Sequence, residues 1–161
     1  MSKKDMFYKE LIQLDLDAKD QEDFFDQMTD KLYELGFVKD SFKEAIKVRE
    51  ENYPTALPIE GNSIAIPHAD PQHIIKPFIA CTRLKNPVKW HEMANNDVSH
   101  DVKVIFMLGF LGGHGDESGS NEHIELLQML VKNFQNPELM DQILNAKTVD
   151  EFMEVVLSME E

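Results

Sequence analysis

The sequence predicts an α/β fold, a single domain in which a mixed β-sheet is sandwiched between helices, and three observations lead there. Short apolar runs of strand type recur at 11–16, 63–66, 78–84 and 102–108. Segments with apolar residues at helical spacing are interspersed with them, the arrangement that layers helices on a sheet. The chain has 161 residues and 42% hydrophobic content, enough for one sizeable core and short for two. One domain over 1–161 is expected, with its core at about 20–157.

From Ile12 onward, Ile12, Leu14 and Leu16 alternate with polar residues, the period of a half-buried strand. Asp20 follows as a helix N-cap; Phe24, Met28, Leu32 and Leu35 form the apolar stripe, and Gly36 stands where a C-cap glycine belongs. Ser41 and Glu44 have capping-box spacing and open a second helix on Phe42, Ala45 and Ile46. Arg49 lies three residues past Ile46, so its stem leaves that helix on the core-facing side. Pro54 disfavours helical geometry at Tyr53 and stops the helix. A loop over 53–62 leads to the strand at 63–66, and 71–77 has room for a helical turn. The strands at 78–84 and 102–108 are the clearest, with a short edge strand at 88–90 and a polar loop over 95–101 between them. The glycine-rich, aperiodic stretch 109–120 predicts a mobile surface loop. Helices return with Ile124, Leu127, Val131 and Phe134, then with Pro137 in a first turn, then with Thr148 and Glu151 as a capping box ahead of Phe152, Val155, Val156 and Met159.

Sixteen basic residues against thirty acidic ones give a formal charge of -14, which repels a phosphate backbone and argues against nucleic acid as a partner. Cys81 is the sole cysteine, so no intrachain disulfide forms and nothing points to an oxidising compartment. No stretch approaches a membrane span, and the charged first twenty residues lack a signal-type apolar segment. A cytoplasmic chain without membrane insertion is expected.

Three residues are candidates for chemistry. His68 ends the run Ile64-Ala65-Ile66-Pro67-His68-Ala69, where the sheet holds the imidazole and the proline presents it to solvent. Arg49 supplies a fixed fork of donors for a phosphoryl group. His123, in the first turn of a helix, is kept neutral by the helix's positive end and suits an orienting or oxygen-holding role. Each also has an ordinary structural reading: a satisfied strand-end histidine, an arginine on loop carbonyls, a helix-start residue. Spacing alone leaves these open.

The surrounding text is more specific. Arg49-Glu50, then Tyr53-Pro54-Thr55, then Gly61-Asn62-Ser63-Ile64-Ala65-Ile66-Pro67-His68, with Glu122-His123-Ile124 downstream, resembles the enzyme IIA domain of the fructose/mannitol superfamily (type 2) of the bacterial sugar phosphotransferase system. The Glu51 to Thr55 stretch and the Ile-Ala-Ile-Pro-His-Ala core are most similar to the galactitol-specific branch. The resemblance implies a phosphotransferase, a phosphoryl carrier that accepts phosphate from the phosphohistidine of HPr and passes it to a cysteine of enzyme IIB for sugar uptake. On it His68 is the phosphorylated nucleophile, Arg49 stabilises the phosphoryl group, and His123 matches a second histidine of mannitol-like and regulatory members. No cofactor or metal is implied. The alternative is a regulatory enzyme IIA, phosphorylated in the same way but signalling by protein binding.

Two rival chemistries are weaker. His114, Asp116, Glu117 and His123 lack a recognised metal-ligand spacing. Cys81 sits inside an apolar strand with no anion-binding loop after it, so it reads as buried and inert.

Overall fold

In a computed structural model, which describes residues 3–59, 62–111 and 117–160, five strands and five α-helices follow one another along the chain. They are β1 (Phe7–Leu16), α1 (Gln21–Glu34), α2 (Phe42–Asn52), β2 (Ala56–Leu57), β3 (Ser63–Ala65), β4 (Phe78–Glu92), β5 (Asn95–Gly109), α3 (Glu117–Phe134), α4 (Pro137–Asn145) and α5 (Val149–Leu157). A 3-10 turn, Pro71–His73, fills the expected short helical segment ahead of β4. Gly61, residues 112–116 and the side chains of Glu117, Glu122 and His123 lie outside the described residues.

The sheet is mixed. β4 and β5 pair antiparallel from Phe78↔Gly109 to Glu92↔Asn95. β1 adds parallel to β4, with Ile12 opposite Cys81, and β3 adds parallel to β5, with Ile64 opposite Val104. β2 pairs antiparallel with β3 and touches the far end of β4 at Glu92. Alternate side chains leave a strand on opposite faces, and the two faces hold separate cores. Ile12, Ile79, Cys81, Phe106 and Leu108 pack with Phe134, Ile143, Phe152 and Val156 of α3, α4 and α5. Leu11, Phe78, Ala80, Ile105 and Met107 pack with Phe24, Phe25, Met28, Leu32, Phe42 and Ile46 of α1 and α2. The sheet is thus sandwiched between helices, as the sequence predicts.

Local chemistry explains the helix ends. The Asp20 carboxylate accepts from Asp23 N at 2.8 Å, and Gly36 closes α1 at a φ of +83°. Thr148 Oγ1 accepts from Glu151 N at 3.1 Å, and Pro137 occupies the first turn of α4 behind the Asn136 cap.

Four expectations change. The stretch 88–101 is neither an isolated edge strand nor a loop; it is the outer half of a long hairpin whose two-residue turn, Met93 and Ala94, lies beyond the packed layers. Residues 95–99 are exposed, so no apolar alternation marks them, and pairing with β4 makes the strand. Ser41 caps nothing, because it is already in helical geometry and its hydroxyl lies 2.8 Å from His73 Nδ1. α3 begins at Glu117, which makes 117–120 helical; packing of the amphipathic segment that follows outweighs the roughly 1 kcal/mol that Gly119 costs. Gly109 belongs to β5, not to a loop.

Candidate active site

β3 and β5 run parallel and end side by side, and the chain leaving β3 stays attached to β5 beyond the proline. Pro67 has no N–H to give, yet its carbonyl accepts from Leu108 N at 3.0 Å, and His68 makes one further bridge to Leu108. Ile66 N donates to Thr55 O at 3.3 Å, which ties the same segment to the end of the loop after α2. His68 is therefore fixed at the carboxyl ends of two parallel strands, where α/β sheets place ligands and reacting groups.

The imidazole itself is oriented. Its Nδ1 lies 2.9 Å from Ile66 O, and a carbonyl oxygen only accepts, so Nδ1 carries the hydrogen and the neutral ring keeps its lone pair on Nε2. The ring meets Phe110 edge-on at 5.8 Å and is 8% exposed. This is more enclosed than the solvent-presented ring the sequence suggests, because the end of β5 and Phe110 close over it. The end of β5 is also tight on its cross-strand neighbour: a Cβ at Gly109 would lie 2.2 Å from Phe78 Cε1, so glycine lets the Phe78 ring pack over this position.

Arg49 leaves the last turn of α2 on its flank and is partly buried. Its guanidinium carbon stacks 4.5 Å from the centre of the Tyr53 ring, and its Nε is buried without a hydrogen-bond partner. His123 lies in the second turn of α3, not the first, and its side chain is outside the described residues.

Sequence reasoning missed Glu50. The buried residues of α2 are Phe42, Ile46 and Glu50, spaced by fours, so the most inward-facing position beside the site is a carboxylate, 3% exposed. Its Oε2 accepts from Thr55 N at 2.6 Å and from Trp90 Nε1 at 2.9 Å, and its Oε1 pairs with Thr55 Oγ1 at 2.8 Å. Burial raises its pKa to about 7, against the opposing pull of those hydrogen bonds and of the Arg49 charge. The signal in the sequence is its spacing of four from Phe42 and Ile46, which puts position 50 on the buried side of α2.

Cys81 is fully buried and burial pushes its thiol well up, which makes it inert. Among the described residues no three His, Cys, Asp or Glu side chains gather as a metal site, and no helix is long and apolar enough to cross a membrane.

The chain has relatives among known proteins. Residues 5–159 match the family described as phosphoenolpyruvate-dependent sugar phosphotransferase system, EIIA 2. The chain belongs to that family. It is thus an enzyme IIA, a phosphotransferase component of sugar transport. The match begins before residue 20 because β1 is an integral strand of the sheet. The fructose-specific EIIABC component of Bacillus subtilis is 30% identical over 94% of this chain, which spans only 22% of that longer protein. The mannitol-specific phosphotransferase enzyme IIA component of Staphylococcus aureus is 27% identical, over 94% of both chains. The same fold occurs in the complex of enzyme IIAMTL and phosphorylated enzyme IIBMTL from Escherichia coli, with a TM-score of 0.73, 20% identity, and 94% of this chain and 98% of that one covered.

Proposed function

We propose that this enzyme IIA is a cytoplasmic phosphoryl carrier that takes its group from the phosphohistidine of HPr onto His68 and hands it to a cysteine of enzyme IIB. The observation that carries the reading is the Nδ1 contact to Ile66 O, which leaves Nε2 as the nucleophile. In the first half-reaction the Nε2 lone pair forms the new N–P bond while the donor's N–P bond breaks and its electron pair returns to the donor ring. In the second, a thiolate sulfur forms the S–P bond and the pair returns to Nε2. Both are in-line displacements that require placement and charge stabilisation more than covalent machinery.

Arg49 is the cation proposed to offset the phosphoryl charge. Its buried, unpartnered Nε is a donor that an oxyanion would satisfy. His123 is proposed as the second imidazole beside the group. A sugar of the fructose, mannitol or galactitol kind is proposed as the transported substrate: fructose- and mannitol-specific relatives at 30% and 27% identity and a galactitol-specific one at 23% support that class, and the Glu51 to Thr55 stretch alone speaks for galactitol within it.

Incubation with phosphorylated HPr should label the native chain and leave His68→Ala unlabelled, and the labelled chain should pass its group to a cognate enzyme IIB. Uptake of phosphate by the His68 variant overturns the nucleophile assignment. Acceptance without onward transfer favours the regulatory reading instead.

A further inference from the structure

An unbroken run of hydrogen bonds joins the interior of the domain to the ring of His68. The Trp90 indole N–H on β4 and the Thr55 N–H both donate to Glu50 Oε2. Thr55 O accepts from Ile66 N, and Ile66 O takes the His68 Nδ1 hydrogen. Ala56, one residue past Thr55, pairs with Ala65, one residue before Ile66, so the two backbones move as a unit.

We propose that Glu50 is a positioning residue for His68: by holding Thr55 against Trp90, its carboxyl group fixes the backbone that presents the Ile66 carbonyl, and so decides which ring nitrogen is nucleophilic. This deepens the carrier reading and rests on it for its meaning in catalysis. Glu50 touches neither the ring nor a transferred group.

The chemistry of the cluster separates shape from charge. The Thr55 hydroxyl donates to a carboxylate and, rotated, accepts from a protonated carboxyl or from an amide. A glutamine at this position would keep its carbonyl oxygen on the two N–H donors and turn its NH₂ toward Thr55 Oγ1. The same shape is available to either protonation state, so His68 stays oriented through the range in which Glu50 titrates. The charged groups around Glu50 are Arg49, Lys47 and Glu51 on its own helix, Glu22 on α1, and the titratable His91 on β4.

The experiment reads the ¹⁵N shifts of the His68 ring together with its rate of phosphorylation by phosphorylated HPr. The native ring should show hydrogen on Nδ1. Glu50→Ala should give mixed tautomers and a transfer rate lower by about 10- to 100-fold, the scale of a misplaced reacting group. Glu50→Gln should recover the native ring signature and most of the rate. Thr55→Val, which keeps the backbone N–H, should shift the tautomer less than Glu50→Ala in the same direction, and it carries the test if the alanine variant does not fold. A native tautomer in folded Glu50→Ala or in both Thr55→Val and Glu50→Gln with the alanine variant unfolded overturns the proposal, as does a glutamine variant as slow as the alanine one. A native chain that takes no phosphate overturns the carrier reading instead, and the ring shifts still decide the role of Glu50.

Discussion

The inner and outer faces of α2 each hold a carboxylate in a polar contact, and the two respond to their surroundings in opposite ways. Outside, Asp26 of α1 meets Lys47 at 2.6 Å with nearly half of its side chain exposed, and the hydrogen bond and charge of the lysine lower its pKa. Inside, Glu50 is held by the neutral donors of Thr55 and Trp90, and desolvation outweighs them and raises its pKa to about 7. The outer pair keeps its water, so its attraction is screened and its net worth is small. The inner group has exchanged water for fixed donors, so removing it strands them. A close contact distance therefore says little about what an ion or hydrogen bond contributes; what surrounds it decides.

The strongest way to break this contrast is Glu50→Ala. It leaves the Thr55 and Trp90 N–H groups buried without acceptors, and about 3 kcal/mol of stability should be lost in denaturant titration. A loss no larger than that of an exposed-face variant would show that the inner cluster is not special.

Dependence on pH sharpens it next. Glu50 ionises near 4.5 when unfolded and near 7 when folded, so between those values the folded state holds the extra proton. Below about 4.5 the group contributes no difference; as pH rises toward 7 native stability falls relative to Glu50→Gln, levelling above 7 at a deficit of about 3 kcal/mol. Parallel stability curves for the two proteins would refute the raised pKa.

A smaller loss is expected from Trp90→Phe, which removes the indole donor and keeps most of the ring packing against Phe24 and Phe25, at about 1 kcal/mol in the same titration. The smallest belongs to the outer face. Asp26→Asn should cost only about 0.2–1 kcal/mol and less at high salt. Because the Asp26 pKa is lowered on folding, that contribution exists above the unfolded value and vanishes as pH falls through the folded one, the reverse of Glu50.

The sequence speaks clearly where one residue answers to local physics. Asp20 and Thr148 cap as their spacing suggests, Gly36 takes the left-handed turn, and Pro54 ends α2. It is silent where distant segments decide. Residues 95–99 are strand only because β4 lies beside them, and Ser41 turns to His73 instead of capping. At the site, the strand-end place of His68 and the partial burial of Arg49 were legible from the short apolar run that Pro67 closes and from the helical spacing. The enclosure of His68 was not, since it depends on Phe110 crossing from the end of β5. Glu50 was hidden for the same reason: its partner Trp90 stands forty residues away.

The β4–β5 hairpin also orders the events by which the chain reaches its native state. Its turn closes over two residues, so its pairing incurs little loop entropy, whereas the parallel docking of β1 on β4 must first close a loop of more than sixty residues. The hairpin is then the template, and β1 and β3 are late additions to its two edges. Substitutions near Met93 and Ala94 would slow folding, those in β1 would chiefly hasten unfolding, and the bridge that seats His68 on β5 is completed only after the template exists.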